Sequence, residues 1–368
     1  MSGKPYVTVA FVNRNDGYGG DLEARIEKFI AYYGRYAEQT PGLFEFVICD
    51  WNPPADRPRL RDAFAWQRLG NVLHVEVPED VHARVAGERG RKMLDYIGRN
   101  VAIRRGSGEF SLVINQDIFI SDSIMRRIKR RALDKRSFFR ADRCDFNFER
   151  CRDVPVDGFE QAALQNVFQV NRRHSSTDAP ISVAADAATL EQSGSVPEPG
   201  DWFDEKLGLI RCQQASLRRT TDRVARLLWR CAPPARPRLL GWRADFLRNT
   251  YYRHFFLHTN AAGDFLLAPR QAFDRIHGMW ETTEIYLHLD SYAVAQLFAA
   301  GYEPAIFQQP HRVFHADHDR SARLGFNEGM TWAQHEAKLS DIVRGTASFR
   351  VNGPDWGLGN ERLPTWRL

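Results

Sequence analysis

Residues 110–117 read FSLVINQD. Four apolar side chains are packed into five positions, and the run then closes abruptly on Asn115, Gln116 and Asp117. Such a run is a strand buried on both faces with a polar carboxyl end. Three stretches upstream share this character: 6–13 (YVTVAFVN), 43–50 (LFEFVICD) and 71–77 (NVLHVEV). The last two stop at rigid points, Asn52-Pro53-Pro54 and Pro78. Between the strands lie segments of helical spacing, 21–38, with Asp21 as its N-cap, and 91–105. Strands alternating with helices predict an α/β protein, a mostly parallel sheet with helices on both faces.

Downstream the order is looser. Residues 150–250 scatter Gln, Asn, Ser, Asp and Pro and read as an insertion over the sheet. Regularity returns at 258, with a strand at Gly263–Ala268. Pro269 then opens a helix that ends near Gly278, and a second helix covers 290–300. Short strands are expected at 303–308 and 311–315, followed by a surface tail. The expected division is 1–145, 146–255, 256–320 and 321–368.

Composition bounds the classes. The chain has 368 residues, 43% hydrophobic and 26% charged, which excludes disorder, collagen and coiled coil as the main state. It holds no apolar run of spanning length, and its opening lacks the features of a signal peptide. Five cysteines without a CxxC pair argue against a disulfide framework or a zinc knuckle. The expectation is a reduced, cytoplasmic protein.

Net charge is +5, but residues 206–243 alone carry +9. Within them Ile210, Leu217, Thr221, Val224 and Leu228 share one helical face, with arginines elsewhere. The plain reading is a surface helix packed on its own domain. The alternative is peripheral contact through 206–230 with an anionic surface at the inner face of the membrane. With the basic charge confined to one segment, nucleic acid is not an expected partner.

Four elements carry chemistry. Asp117 ends a buried strand, where α/β sheets bind ligands, and its oxygen suits a hard divalent cation. The stretch RVFHADH (312–318) places His315 and His318 three apart after a strand, able to offer imidazole to the same ion; a surface or capping role is the alternative. RNDGYGG (14–20) is a glycine-bearing loop after the first strand. ETTEIYLHLD (281–290) sets carboxylates before a helix, as caps or as a base on an acceptor hydroxyl. GxGxxG, GxxxxGK[ST] and GxSxG patterns are absent, so dinucleotide, P-loop and serine-hydrolase readings fail.

Taken in order, these elements resemble glycosyltransferases of the GT-A fold, close to the family-2-like bacterial enzymes. The resemblance covers about 6–145 and 256–320. It rests on RNDGYGG, CDWNPP (49–54), RNVAIRRGSGEF (99–110) leading to INQDIF, TNAAGDF (259–265), and HLDS (288–291) followed by RVFHADH. It implies that Arg14, Asn15 and Asp16 contact the nucleotide and that Asp50 binds base or ribose. Arg99 and Asn100 would face the diphosphate or donor sugar, with Asn115 also on the donor side. Asp117 and His315 would hold Mn²⁺ or Mg²⁺. Asp290 would be the base, with Glu281 second. Position 115 is Asn where this family carries a carboxylate.

The implied function is sugar transfer from a nucleotide-diphosphate donor to a glycan or lipid-linked acceptor, in bacterial polysaccharide synthesis. The alternatives are a catalytically silent domain of the same fold and a sugar nucleotidyltransferase.

Overall fold

The computed structural model describes residues 4–87, 90–172, 176–178, 257–285, 289–319 and 330–368. The basic stretch 206–243 and His288 lie outside these residues.

Four strands, β1 (Val7–Asn13), β2 (Phe44–Trp51), β3 (Val72–Val77) and β4 (Phe110–Val113), pair in parallel in the order β3-β2-β1-β4. Their side chains alternate between two cores, as the period of a strand dictates. Val7, Val9 and Phe11 enter one core, and Ala10 and Val12 enter the other. Helix α1 (Leu22–Gln39) covers the first face through Ile26, Phe29, Ile30 and Tyr33. Asp21 precedes this helix but makes no side-chain capping bond. A short α2 (Leu60–Ala63) follows β2, and α3 (Glu79–Ala86) follows β3. Then α4 (Asp95–Arg105) covers the opposite face through Ile97, Val101 and Ile103, starting four residues later than its spacing suggests.

The connection from β1 to β2 thus runs over one face, and that from β3 to β4 over the other. The winding reverses between β1 and β4, so a crevice opens at their carboxyl ends. Loop 14–20 and residues 114–117 flank it.

Beyond β4 the sheet becomes mixed. β5 (Ile118–Ile120) leads into α5 (Asp122–Lys129), and β6 (Ser137–Phe146) follows. Next come α6 (Val156–Gln165), β7 (Val167–Asn171) and β8 (Ser176–Asp178). The expected strand at 263–268 begins instead as a 3₁₀ turn over Ala262–Asp264, and β9 (Leu266–Pro269) runs antiparallel to β4. That turn lets the chain reverse into the gap between β4 and β6. Pro269 ends β9 and immediately precedes α7 (Arg270–Ile276); α8 (Leu289–Ala299) matches its expected span closely. The two short strands expected near 303–315 are one, β10 (Glu303–Ala316), which bulges between Phe307 and Arg312. It pairs in parallel with β6 and antiparallel with β5. α9 (Trp332–Arg344) opens on a Thr331–Gln334 capping box, and β11 (Thr365–Arg367) closes the far edge on β3. Among the described residues the sheet order is β11-β3-β2-β1-β4-β9-β6-β10-β5, a mixed sheet in which most central strands run one way. No described helix is long and apolar enough to cross a membrane.

Gly98 is where α4 meets the sheet. A Cβ there would lie 2.4 Å from Val12 Cγ2 and 3.2 Å from Trp51 Cε3. Gly98→Ala is expected to destabilise by about 1–3 kcal/mol of overpacking, outweighing alanine's helix advantage of about 1 kcal/mol. A urea midpoint moved down at constant slope is the expected result; an unchanged midpoint would show that β1 and β2 yield.

Candidate metal centre and crevice

Asp117 is placed by backbone. The Ile118 amide donates to Asn115 O at 3.2 Å, turning the chain between β4 and β5, and the Ala316 amide donates to Asp117 O at 2.9 Å. That second bond ties the end of β10 to the same spot. His315 stands in register with Ile118 on one side and Asp145 on the other. His318 follows just past the strand.

The three side chains converge. His318 Nε2 lies 3.3 Å from Asp117 Oδ2, and His315 Nε2 lies 3.8 Å from it. All three offer donor atoms within 4.8 Å of one another. Ligands each about 2.1 Å from one ion stand roughly 3–4 Å apart, so both carboxylate–imidazole distances fit. Asp117 Oδ1 is buried and has no hydrogen-bond partner among the described residues. One carboxylate and two imidazoles are a donor set for a divalent first-row ion. Burial alone would push the Asp117 carboxyl up. His318, His315 and Arg25 overcome that and hold it well below the usual carboxylate range.

Loop 14–20 closes against this centre. Tyr18 packs edge-on to His318, ring centroids 5.3 Å apart. Buried Arg25 donates to Tyr18 O at 2.8 Å and Gly19 O at 3.3 Å. Gly19 has φ +74°, and a Cβ there would sit 2.6 Å from His318 Nδ1, so only glycine fits. Arg14 donates to Asn52 O at 2.8 Å and pairs with Asp16 at 3.0 Å, while Asn15 Nδ2 donates to Pro58 O at 2.9 Å.

A second arc runs from α4 to β10. Arg99 donates to Asp95 at 2.9 Å, to Asn115 Oδ1 at 2.6 Å and to Gly263 O. Asn115 Nδ2 donates to Asp264 Oδ1 at 2.8 Å. Arg143 bridges Asp264 and Asp145, and Asp145 Oδ1 meets His315 Nδ1 at 2.9 Å. Asp264 is held low: burial opposes ionisation, but Arg143 and His315 prevail. Asp290, in the first turn of α8, accepts from the Gly263 amide at 2.6 Å and from the Ser291 amide at 3.0 Å.

The structure therefore brings Arg99, Asn115, Asp117, His315 and Asp290 into one connected region, with Arg14, Asn15 and Asp16 in the loop beside it. Asp50, Asn100 and Glu281 have other contacts. Asp50 is fully enclosed and accepts from the Leu60 amide at 2.9 Å, seating α2. Asn100 donates to Met279 O at 2.7 Å and to Glu281 Oε1 at 2.8 Å. Glu281 Oε1 also accepts from the Gly357 amide at 2.6 Å, which joins the C-terminal segment to α4.

Sequence reasoning gave no site role to Asp264, Arg143, Asp145 or Arg140. Buried Arg140 donates to the carbonyls of His258, Asn260 and Ala262, stapling the loop that carries Asp264. The one signal is partial: FFRADRCDF (138–146) sets four charges inside a strand, and enclosed charges must be paired, but the run does not say with what.

No family model matches the chain, and no curated protein matches it. Among solved structures it is similar to S. aureus TarS 1–349, with a TM-score of 0.40 and 12% identity over 84% of this chain and 60% of that one. It is also similar to the same protein in complex with UDP, with a TM-score of 0.41 and 10% identity over 85% of this chain and 60% of that one. The chain spans less than two thirds of the length of these structures.

Burial raises the Glu281 carboxyl from 4.5 to about 7, against the bonds it receives from Asn100 and Gly357. The native state therefore binds this proton more tightly than the unfolded chain. Its contribution is lost as pH climbs from about 4.5 through about 7. Glu281→Gln is expected to flatten that part of the stability–pH curve and to exceed wild type above pH 7 by roughly 2–3 kcal/mol. Parallel curves for the two proteins would contradict it.

Proposed function

We propose that the chain is a metal-assisted glycosyltransferase of the GT-A type, moving a sugar from a nucleotide-diphosphate donor to a glycan or lipid-linked acceptor. The observation that carries this reading is the convergence of Asp117, His315 and His318 beside loop 14–20, at the crevice where the sheet winding reverses. Segments 1–145 and 256–320 serve as donor and acceptor halves, and bacterial polysaccharide synthesis is the setting that the family resemblance suggests. Peripheral membrane contact through 206–230 rests on sequence alone.

Asp117, His315 and His318 would hold the divalent ion, Mn²⁺ or Mg²⁺. When bound, such an ion neutralises the charge that grows on the departing diphosphate. Arg14, Asn15 and Asp16 line the nucleotide side, where Arg14 and Asp16 orient each other through their ion pair. Arg99 and Asn115 fix the wall between nucleotide and sugar. Asp50 acts at one remove, through the α2 start that it seats. Asp290 takes the proton of the acceptor hydroxyl, and two amide donors keep its carboxylate oriented for that task. Glu281 and Asn100 brace the wall of the acceptor half.

A second reading, donor binding without transfer, is favoured by Asn115. Its amide is occupied at both ends, by Arg99 and by Asp264, where the family places a carboxylate.

The test is a thermal-shift panel of UDP, GDP, CDP and dTDP with Mn²⁺, Mg²⁺ or EDTA, followed by transfer assays with the nucleotide found. A metal-dependent rise with one nucleotide is expected, since a ligand that binds only the native state stabilises it. Asp117→Asn is expected to abolish the metal-dependent part. Asp290→Asn is expected to keep the shift and lose roughly 10²–10⁴ in transfer rate. Nucleotide binding with no transfer by the wild type would establish the second reading. No shift with any nucleotide would overturn both.

A further inference from the structure

We propose that Asp145 is a positioning residue of the metal centre: it fixes the ring of His315 so that Nε2, and not Nδ1, faces Asp117. This rests on the reading of Asp117, His315 and His318 as metal ligands.

Three observations carry it. The first is register. Asp145 and His315 are direct cross-strand partners in the parallel pair β6–β10, so the contact is set by the ladder and not by a mobile loop. The second is geometry. Asp145 Oδ1 lies 2.9 Å from His315 Nδ1, while His315 Nε2 points the other way, 3.8 Å from Asp117 Oδ2. An ionised carboxylate only accepts, so Nδ1–H donates and the lone pair is left on Nε2. The third is that Asp145 is itself held. It is 1% exposed, Asn171 Nδ2 and Arg143 Nη2 donate to its Oδ2 at 2.8 and 3.0 Å, and Arg143 Nε stands at an ion-pair distance of 2.9 Å from its Oδ1. A carboxylate gripped from two sides has one orientation to offer the imidazole. Carboxylate–imidazole pairs of this kind orient metal-bound histidines and strengthen them as ligands.

A consequence follows for the choice of ion. With His315 fixed, two of the three protein donors are imidazoles; Mn²⁺ accepts both oxygen and nitrogen donors, whereas Mg²⁺ is harder, keeps to oxygen and gives up its water reluctantly, so the set favours Mn²⁺. Removing the orienting group weakens the imidazole contribution and leaves the Asp117 oxygens in place. Asp145→Asn should therefore lower Mn²⁺ affinity more than Mg²⁺ affinity. A residue that only stabilised the fold would lower both alike.

The experiment is Mn²⁺ binding to the full chain, read as loss of the free Mn²⁺ electron-spin signal, with Mg²⁺ competition giving the selectivity ratio. No transfer activity enters. Asp145→Asn is expected to weaken Mn²⁺ binding about 10–100-fold and to lower the Mn²⁺/Mg²⁺ ratio. In a His315→Ala background the same substitution is expected to have no further effect, because the two residues act as one unit. Should Asp145→Asn not fold, Asn171→Ala, which releases one grip on the carboxylate, is expected to shift the ratio in the same direction by a smaller factor. A wild type that binds Mn²⁺ alongside an Asp145→Asn that binds it equally well would overturn this role and leave the metal reading standing. Equal and additive losses in the His315→Ala background would also overturn it. A wild type that binds no Mn²⁺ would overturn the metal reading itself and this role with it.

Discussion

Arg143 stands between two carboxylates, Asp264 from the turn before β9 and Asp145 on its own strand. Each of the three ions is mostly enclosed, and an enclosed ion is tolerated only when its neighbours complete its hydrogen bonds. The requirement propagates. Asp264 is completed by Asn115, Asn115 by Arg99, and Arg99 by Asp95. In the other direction Asp145 is completed by His315 and Asn171. The chain of partners crosses the sheet from α4 to β10 and passes under the crevice. Apolar packing holds the layers together, but this alternation of donors and acceptors decides where β4, β9, β6 and β10 end relative to one another. Losing any one member would leave its neighbours unsatisfied in a region of low dielectric, where that is costly.

The first half of the fold was legible because each of its strands is a short apolar run ended by Pro, Asn or Asp. Local pattern alone determines such elements. The second half was less so. The expected strand at 263–268 starts late, at Leu266, because its first residues form a 3₁₀ turn in a loop whose carbonyls are gripped by Arg140, more than a hundred residues away. β10 reads as two pieces because its bulge interrupts the alternation. Asp117 and His315 were legible as polar residues closing buried strands, and the structure sets them side by side. Arg143 and Asp145 were not, since a charge in a strand has meaning only once its partner across the sheet is known.

The same separation explains Asp50, Asn100 and Glu281. Each is polar and of a residue type suited to ligand contact, and each lies in a motif that carries the family resemblance or beside one. Asp50 seats a helix start, and Asn100 with Glu281 fastens the C-terminal segment to α4. Neighbouring positions on one helix can serve opposite purposes: Arg99 and Asn100 are consecutive, and successive side chains on a helix point about 100° apart. The sequence RN carries no mark that one faces the crevice and the other an interior seam.

β10 opens out over residues 308–311, so that Phe307 pairs with Ala141 and Arg312 with Asp142. Four residues are gained on one strand against none on the other. The added residues lie off the ladder with β6, as in any bulge, so a change of length there is taken up before pairing resumes at Arg312. Residues 313–315 are then clamped between β6 and β5, and the facing of His315 is set by that paired stretch alone. The bulge thereby works as a slack joint, which separates the spacing of the first half of β10 from the aim of its end.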